Sequence, residues 1–431
     1  MLDGVWNFAK RHQRKLVIGA GVVGGLYYSG KLLTRRLFEM QGASAKERSA
    51  KENIRRRFDQ NQRDCLFTIM SLLPELSEQV LREVDVERLI AELREINKPP
   101  PAVEESEDSS ESSANGAPQQ QHQQEQKEPP KRTKVEVWED IKMLSFARTL
   151  IAVYAESLLT MLVHIQLNMI GRSSYLDSVI GKYTGASGDQ VVLEGRYESR
   201  LALADEQNFL MLSWWFLNRG WRQLMTQVLA ATEQSVSQLP LKERLSHREL
   251  LAIFNDTHVK LRENGLMRAL PDMLLPLGEE HIEDYLTSNR LAASQVFTPA
   301  FVRLLDQMRD VIESTDFAFV FNSCIDRLTT QLLESLQESF PESVPAPAPA
   351  RPLPPTVEGE AAPNLDEVVR EFEEFSVVPE SRVAVVQLLP RIAREGHQIL
   401  NGVPNQYLEN VSASREVQAL SAAVYTAEDV A

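Results

Sequence analysis

The sequence has few of the residues from which disulfide scaffolds and zinc centres are built. Its 431 residues contain two cysteines, Cys65 and Cys324, which are far apart and form no CxxC pair. Such an isolated pair indicates neither a zinc site nor a redox motif. We expect two reduced thiols in the protein interior, because free cysteine is among the most often buried residue types.

Catalytic patterns are missing as well. The seven histidines are scattered, and no HExxH or GxSxG motif occurs. His164 lies in an apolar helical stretch, which favours a hydrogen-bonded core histidine over a base or a metal ligand. The acidic run beginning Glu279-Glu280-His281 favours a solvated loop or a helix start. The sequence therefore predicts no enzyme activity, no metal and no cofactor.

Positive charge is concentrated at one end of the chain. The net charge is -15, yet lysine and arginine outnumber acidic residues within residues 1–57. A basic N-terminal segment followed by an acidic remainder argues against nucleic-acid binding, which needs positive charge on the folded part. We expect this basic segment to contact the phosphates of lipids.

An apolar run at residues 16–33 predicts a membrane anchor. As a helix it would be ~27 Å long, close to a bilayer core of ~30 Å. A cleaved signal peptide is the alternative, but Lys31, Arg35 and Arg36 follow the run in place of a small-residue cleavage site. The larger positive flank favours a cytosolic body, with tail 1–15 across the membrane. The proposed anchor residues are Leu16, Val17, Ile18, Val22, Val23 and Leu26.

The same run contains two glycine patterns that resemble nucleotide sites. Residues 19–24 fit GxGxxG, but no βαβ alternation follows them. Residues 25–31 nearly complete a P-loop, but Leu32 occupies the position of the magnesium-binding Ser or Thr. We instead interpret Gly21 and Gly25 as small residues that let membrane helices approach closely.

Proline-rich segments divide the rest of the chain. Residues 99–133 and 341–364 are rich in Pro with Glu, Ser, Gln or Ala, and this composition predicts a disordered loop and a linker. They separate a basic juxtamembrane segment with the first helices (34–98), a bundle core (134–340) and C-terminal helices (365–431).

Apolar residues between these segments recur at helical spacing, so the predicted class is all-α, a large bundle of long helices. Pro74 is expected to interrupt the first stripe and Gly171 to end the helix that begins near Trp138. Ser246 and Thr298 are predicted helix caps. Further helices are predicted over residues 206–236, 248–264, 299–314, 318–338, 366–375 and 416–425.

The stretch Leu150–Ile170 is apolar enough that a second membrane-spanning helix has to be considered. Glu156 at its centre argues against this, because a charged residue at mid-membrane costs ~2.5 to 3.5 kcal/mol on insertion scales. A helix buried inside the bundle is the better interpretation.

Trp138 has two interpretations. It follows the first proline-rich segment directly, in the first turns of its helix. It either staples the helix start to the bundle or forms the edge of an apolar groove for a partner helix.

An ordered set of short motifs resembles the peroxisomal biogenesis factor 3 family. The resemblance runs from the N-terminus to about Tyr425. Its pieces are Val5-Trp6-Asn7-Phe8 with Lys10-Arg11-His12, Asn61-Gln62-Arg63 with Cys65, Trp138-Glu139-Asp140-Ile141-Lys142, Ser145-Phe146 with Arg148, Gln166-Leu167-Asn168 with Gly171, Tyr175-Leu176-Asp177, and Arg309-Asp310 with Asp316-Phe317, Asn322 and Cys324.

The resemblance implies a single-pass peroxisomal membrane protein with a lumenal N-terminus and a cytosolic helical bundle. It implies a docking receptor for peroxisomal biogenesis factor 19, the chaperone that delivers new membrane proteins and offers an amphipathic helix to an apolar groove. Matched residue by residue, Trp138, Ile141 and Leu93 would be the apolar anchors and Lys134 would pair a carboxylate. The segment 99–133 is longer than the family's usual connection. A tether for inheritance or autophagy factors is the alternative function.

Overall fold

The computed structural model of the chain describes residues 45–96, 132–186, 201–340 and 381–427. In these ranges the chain forms helices and one small two-stranded sheet, so the helical class is confirmed apart from that sheet. The predicted membrane helix 16–33 with its anchor residues, the tail 1–15 and the predicted helix 366–375 lie outside the described residues.

The helices fall into an early and a late group along the chain. Up to residue 240 they are α1 (Ala45–Glu83), α2 (Val86–Ile96), α3 (Lys134–Ala186), α4 (Leu203–Leu210), α5 (Ser213–Trp215), a π-helical turn (Phe216–Gly220) and α6 (Trp221–Val236). Later come α7 (His247–Glu263), α8 (Leu266–Leu274), α9 (Glu279–Asn289), α10 (Ala293–Val296), α11 (Pro299–Ile312), α12 (Thr315–Gln337), α13 (Val385–Asn401), α14 (Gln406–Ser412) and α15 (Arg415–Thr426).

Helix α3 is the central element of the bundle. Its side chains are buried on all sides from Ser145 to Gln166, and α1, α2, α6, α13 and α15 pack around it. Among the described residues it is the one helix long and apolar enough to cross a membrane, but 94% of its apolar window is buried inside the protein. A helix that is apolar all round and covered by other helices is a bundle core. This agrees with the prediction for Leu150–Ile170.

Two expected helix ends are wrong, and packing explains both. Helix α1 continues through Pro74 to Glu83, because Ile69, Leu73 and Leu76 are buried around the missing hydrogen bond. Helix α3 likewise runs on past Gly171 to Ala186.

A Cβ at Gly171 would lie 2.9 Å from the ring of Tyr425 and 3.2 Å from Asn61. The glycine therefore allows α15 and α1 to approach α3. It does not cap a helix.

Local capping chemistry was predicted correctly at two helix starts. Ser246 and Glu249 form the reciprocal capping box that starts α7. The hydroxyl of Thr298 accepts a hydrogen bond from the amide of Phe301, and Pro299 lies in the first turn of α11. Glu279 begins α9, so the acidic run there is a helix start.

A short sheet ties the C-terminal helices to the middle of the chain. Strand β1 (Arg244–Ser246) pairs antiparallel with β2 (Arg382–Ala384), with Leu245 opposite Val383. These strands lead directly into α7 and α13. Helix α13, which the sequence did not predict, packs against α3 through Gly396, where a Cβ would lie 2.8 Å from the Thr149 hydroxyl oxygen.

Candidate partner-binding surface

The predicted site residues come from two helices that lie side by side. Arg148 of α3 contacts Glu87 at the start of α2, and Arg132, just before α3, contacts Glu92 near the end of α2. These contacts fix an antiparallel register. The last turns of α2 therefore lie beside the first turns of α3, which brings Leu93 close to the Trp138 turn.

Reciprocal hydrogen bonds between neighbouring residues fix where α3 begins. The Thr133 amide donates to the Glu136 carboxylate at 2.9 Å, and the Glu136 amide donates to the Thr133 hydroxyl at 3.3 Å. This reciprocal capping satisfies two of the amides left free at a helix start. Lys134 and Trp138 are thereby held in the first two turns.

The four predicted binding residues lie at different depths. Leu93 and Ile141 are 8% and 3% exposed and belong to the core between the helices. Trp138 is partly exposed and packs against that core, while Lys134 is exposed in the first turn. Leu93 and Ile141 can therefore form the floor of a site, whereas Trp138 and Lys134 can contact a partner directly.

Two exposed apolar side chains extend this area, and sequence reasoning missed both. Ile96 is 41% exposed and Val135 is 66% exposed. Each lies three residues from a predicted anchor, Leu93 or Trp138, so helical spacing alone could have found them. We name Leu93, Ile96, Lys134, Val135, Trp138 and Ile141 together the α2–α3 surface.

A buried lysine, Lys142, lies one turn beyond Trp138 on α3. Lys142 is only 1% exposed, and its Nζ donates to the Leu239 carbonyl at 2.6 Å and pairs with Glu139 at 2.5 Å. Because a buried ammonium is stable only when paired, this lysine holds the loop after α6 against the base of the Trp138 turn. Sequence reasoning did not identify it as a structural residue.

Burial shifts both cysteines and His164 towards their neutral forms. Both free cysteines are buried, as predicted, and burial raises the pKa of each thiol to about 12. Burial lowers the pKa of His164 to about 4, and its Nδ1 lies 2.9 Å from the Ser421 hydroxyl. The Nε2 atom of His164 has no hydrogen-bond partner, so this core histidine is only half satisfied.

Metal binding finds no support in the described part of the chain. No group of three or more His, Cys, Asp or Glu side chains there could hold a metal ion. The α2–α3 surface itself consists of apolar side chains and one lysine, with carboxylates at its border. Such an arrangement suits recognition of a protein segment.

Comparison with known proteins places the chain in a family. The Peroxin-3 family model matches residues 7–427. The chain belongs to the Peroxin-3 family. Its curated relatives include peroxisomal biogenesis factor 3 of Yarrowia lipolytica, 28% identical over 98% of this chain and 99% of that protein. The human peroxisomal biogenesis factor 3 is 26% identical over 99% of this chain and 98% of that protein.

Membership of the Peroxin-3 family confirms the resemblance found in the sequence. It gives the chain a role in peroxisome biogenesis as a membrane protein. Peroxin-3 proteins are biogenesis factors and are not known as enzymes. The near-complete coverage of the Yarrowia and human proteins shows that the similarity extends over the helical bundle as a whole.

Proposed function

We propose that this Peroxin-3 protein is a docking receptor for peroxisomal biogenesis factor 19. An amphipathic helix of the chaperone would bind the α2–α3 surface, and the chaperone would then release new membrane proteins at the peroxisomal membrane. The body would be cytosolic, anchored by residues 16–33, with tail 1–15 in the lumen. The observation that carries this proposal is the partly exposed Trp138 above a floor of buried apolar side chains.

The character of the α2–α3 surface supports helix recognition. Ile96, Val135 and Trp138 provide exposed or partly exposed apolar area at the junction of two helices. An amphipathic helix binds such a surface through apolar residues spaced by one turn, and tryptophan is enriched among the residues that dominate binding energy. Lys134, exposed at the border, would contact an acidic side chain of the partner.

Replacement of Trp138 tests the proposal. We expect Trp138→Ala to weaken binding of a peptide of the chaperone's amphipathic helix by at least ~2 kcal/mol, about 30-fold in Kd. The full chain in detergent micelles would be titrated with labelled peptide, followed by fluorescence anisotropy. Because Trp138 is only partly buried, the helical circular dichroism should not change.

Trp214→Ala is a matched control, since Trp214 is also a partly buried tryptophan but lies in α5. It should leave the peptide Kd unchanged. Loss of helicity in Trp138→Ala would make this residue a structural staple. Equal losses of affinity in both variants would contradict the proposed site.

A second candidate function is that of a tether for inheritance or autophagy factors. Phe67 and Met70, on the outer face of α1, are 73% and 48% exposed, so the chain has apolar area outside the α2–α3 surface. A tether factor that uses this face would still bind when chaperone peptide saturates the α2–α3 surface. Competition between the two ligands would exclude a separate tether site.

A further inference from the structure

Helix α2 supplies Leu93 and Ile96, two of the six residues of the α2–α3 surface, and it is short. It has 11 residues, fewer than an isolated helix needs to be stable in water. Its buried side chains are Val86, Leu89 and Leu93. Its position relative to α3 therefore depends on further contacts with the rest of the bundle.

The first of these contacts is made by Arg148, which lies two turns beyond Ile141 on α3. The guanidinium is 1% exposed and donates to both carboxylate oxygens of Glu87, at 2.6 and 3.0 Å. Its Nη2 also donates to the Ala393 carbonyl of α13 at 3.3 Å. A buried guanidinium must be paired, and the two-pronged geometry fixes both the distance and the orientation of the carboxylate.

The pKa of Glu87 reflects this contact. Desolvation acts to raise it, but the hydrogen bonds and charge of Arg148 outweigh desolvation and hold the pKa below its ordinary value. Glu87 is thus ionised at neutral pH, and the start of α2 is attached to both α3 and α13.

The second contact lies at the other end of α2. Arg132 pairs with Asp140 of α3 and, at 3.7 Å, with Glu92 of α2. Glu92 precedes Leu93 and Asp140 precedes Ile141, so this bridge crosses between the two helices beside the floor of the α2–α3 surface. The Arg132 side chain is 43% exposed, so this bridge is open to screening by salt.

We propose that Arg148 and Arg132 are positioning residues that hold α2 at the separation from α3 that a partner helix requires. This inference rests on the proposed docking function. Neither arginine needs to touch the partner. Arg148 fixes the start of α2 from inside the bundle, and Arg132 fixes its last turns from the surface, so Leu93 and Ile96 stay opposite Trp138.

The test removes one carboxylate at a time from α2. In full-length protein in detergent micelles, Glu87→Gln should weaken binding of the chaperone peptide about tenfold, and Glu92→Gln about two- to fivefold, because an exposed ion pair contributes less. Amide hydrogen exchange of residues 86–96 should become faster, while exchange in the centre of α3 should not. Glu83→Gln is the matched control, because Glu83 pairs with Arg222 and joins α1 to α6. It should change neither quantity.

Salt dependence separates positioning from a general loss of stability. Raising the salt concentration should weaken peptide binding more in the wild type than in Glu92→Gln, which has already lost the screened bridge. Glu92→Asp keeps the charge and should retain most of the affinity. Trp138→Ala is measured in the same series.

The possible outcomes are distinct. If the wild type binds the peptide and Trp138→Ala binds it more weakly, the docking site stands. Unchanged affinity in both glutamine variants would then overturn the positioning role alone. Loss of affinity that accompanies loss of helicity also overturns it, since the effect would then be unfolding. If the wild type does not bind the peptide, the docking function fails and this inference fails with it.

Discussion

Glu156 in the centre of the bundle gives the sharpest prediction about stability. Its side chain is 0% exposed, and neither carboxylate oxygen has a hydrogen-bond partner. Burial raises the pKa of this carboxyl well above its ordinary value of 4.5. Tyr407 is close enough for the charge of Glu156 to act on its pKa, but its hydroxyl donates to the Glu395 carboxylate instead, at 2.7 Å.

The direction of the pH effect follows from proton linkage. Above pH 4.5 an unfolded chain releases the Glu156 proton, whereas the folded chain keeps it until the raised pKa is reached. The folded state therefore loses about 1.4 kcal/mol of stability for each pH unit in that interval. Between pH 5 and pH 7 the cost amounts to at most about 2.7 kcal/mol, as long as the buried carboxyl stays protonated.

Replacement of Glu156 by glutamine removes this proton without a large change in shape. We expect wild type and Glu156→Gln to melt at similar temperatures at pH 5 and to diverge as the pH rises. The variant should melt roughly 5 °C higher at pH 7. Thermal unfolding of the full chain, followed by circular dichroism at several pH values, measures the difference. A melting-temperature difference that does not vary with pH would refute the argument, because it would mean that Glu156 is ionised in the folded protein.

Two further predictions concern other buried positions. Gly220→Ala should destabilise the fold by about 3 kcal/mol or more, measured by thermal unfolding, because its Cβ would lie 1.7 Å from the Met273 carbonyl oxygen. Burial lowers the pKa of His258 from 6.5 to about 4, so an unfolded chain gains this proton first on acidification. Stability should therefore fall by about 1.4 kcal/mol for each pH unit between pH 6.5 and about 4 on account of this residue, and His258→Gln should lack that part of the slope.

Periodicity and local chemistry predicted most of the helices. The apolar spacing of α7, α11, α12 and α15 and the caps at Ser246 and Thr298 depend on residues close together in sequence. The expectations that rested on helix-breaking residues were wrong, because tertiary packing decided those positions. Pro74 lies inside α1, and Gly171 lies inside α3 where α15 comes close.

Two other elements could not be predicted, because the residues near them in sequence carry no pattern that distinguishes them. Helix α13 contains Pro390 and Gly396, which look like breaks in sequence although Gly396 serves close contact with Thr149. The π-helical turn Phe216–Gly220 divides the helix predicted over 206–236, and its apolar pattern does not differ from that of an α-helix.

In the candidate site, too, the residues of one short motif could be predicted, whereas contacts between residues far apart in sequence could not. Trp138, Lys134, Ile141 and Leu93 could be proposed because the family resemblance covers them. The ion pair of Arg148 with Glu87 joins residues 61 positions apart, and no periodicity brings such residues together. Sequence could thus suggest which side chains a partner contacts, but not what holds them in place.

Photo-crosslinking from the α2–α3 surface tests the central claim most directly. A photoreactive amino acid would replace Val135, which is 66% exposed, or Phe319 of α12, which is 64% exposed and serves as control. With the full chain in peroxisomal membranes, the docking account predicts a crosslink to peroxisomal biogenesis factor 19 from position 135 and none from position 319. No crosslink from position 135, or an equal yield from position 319, would contradict it.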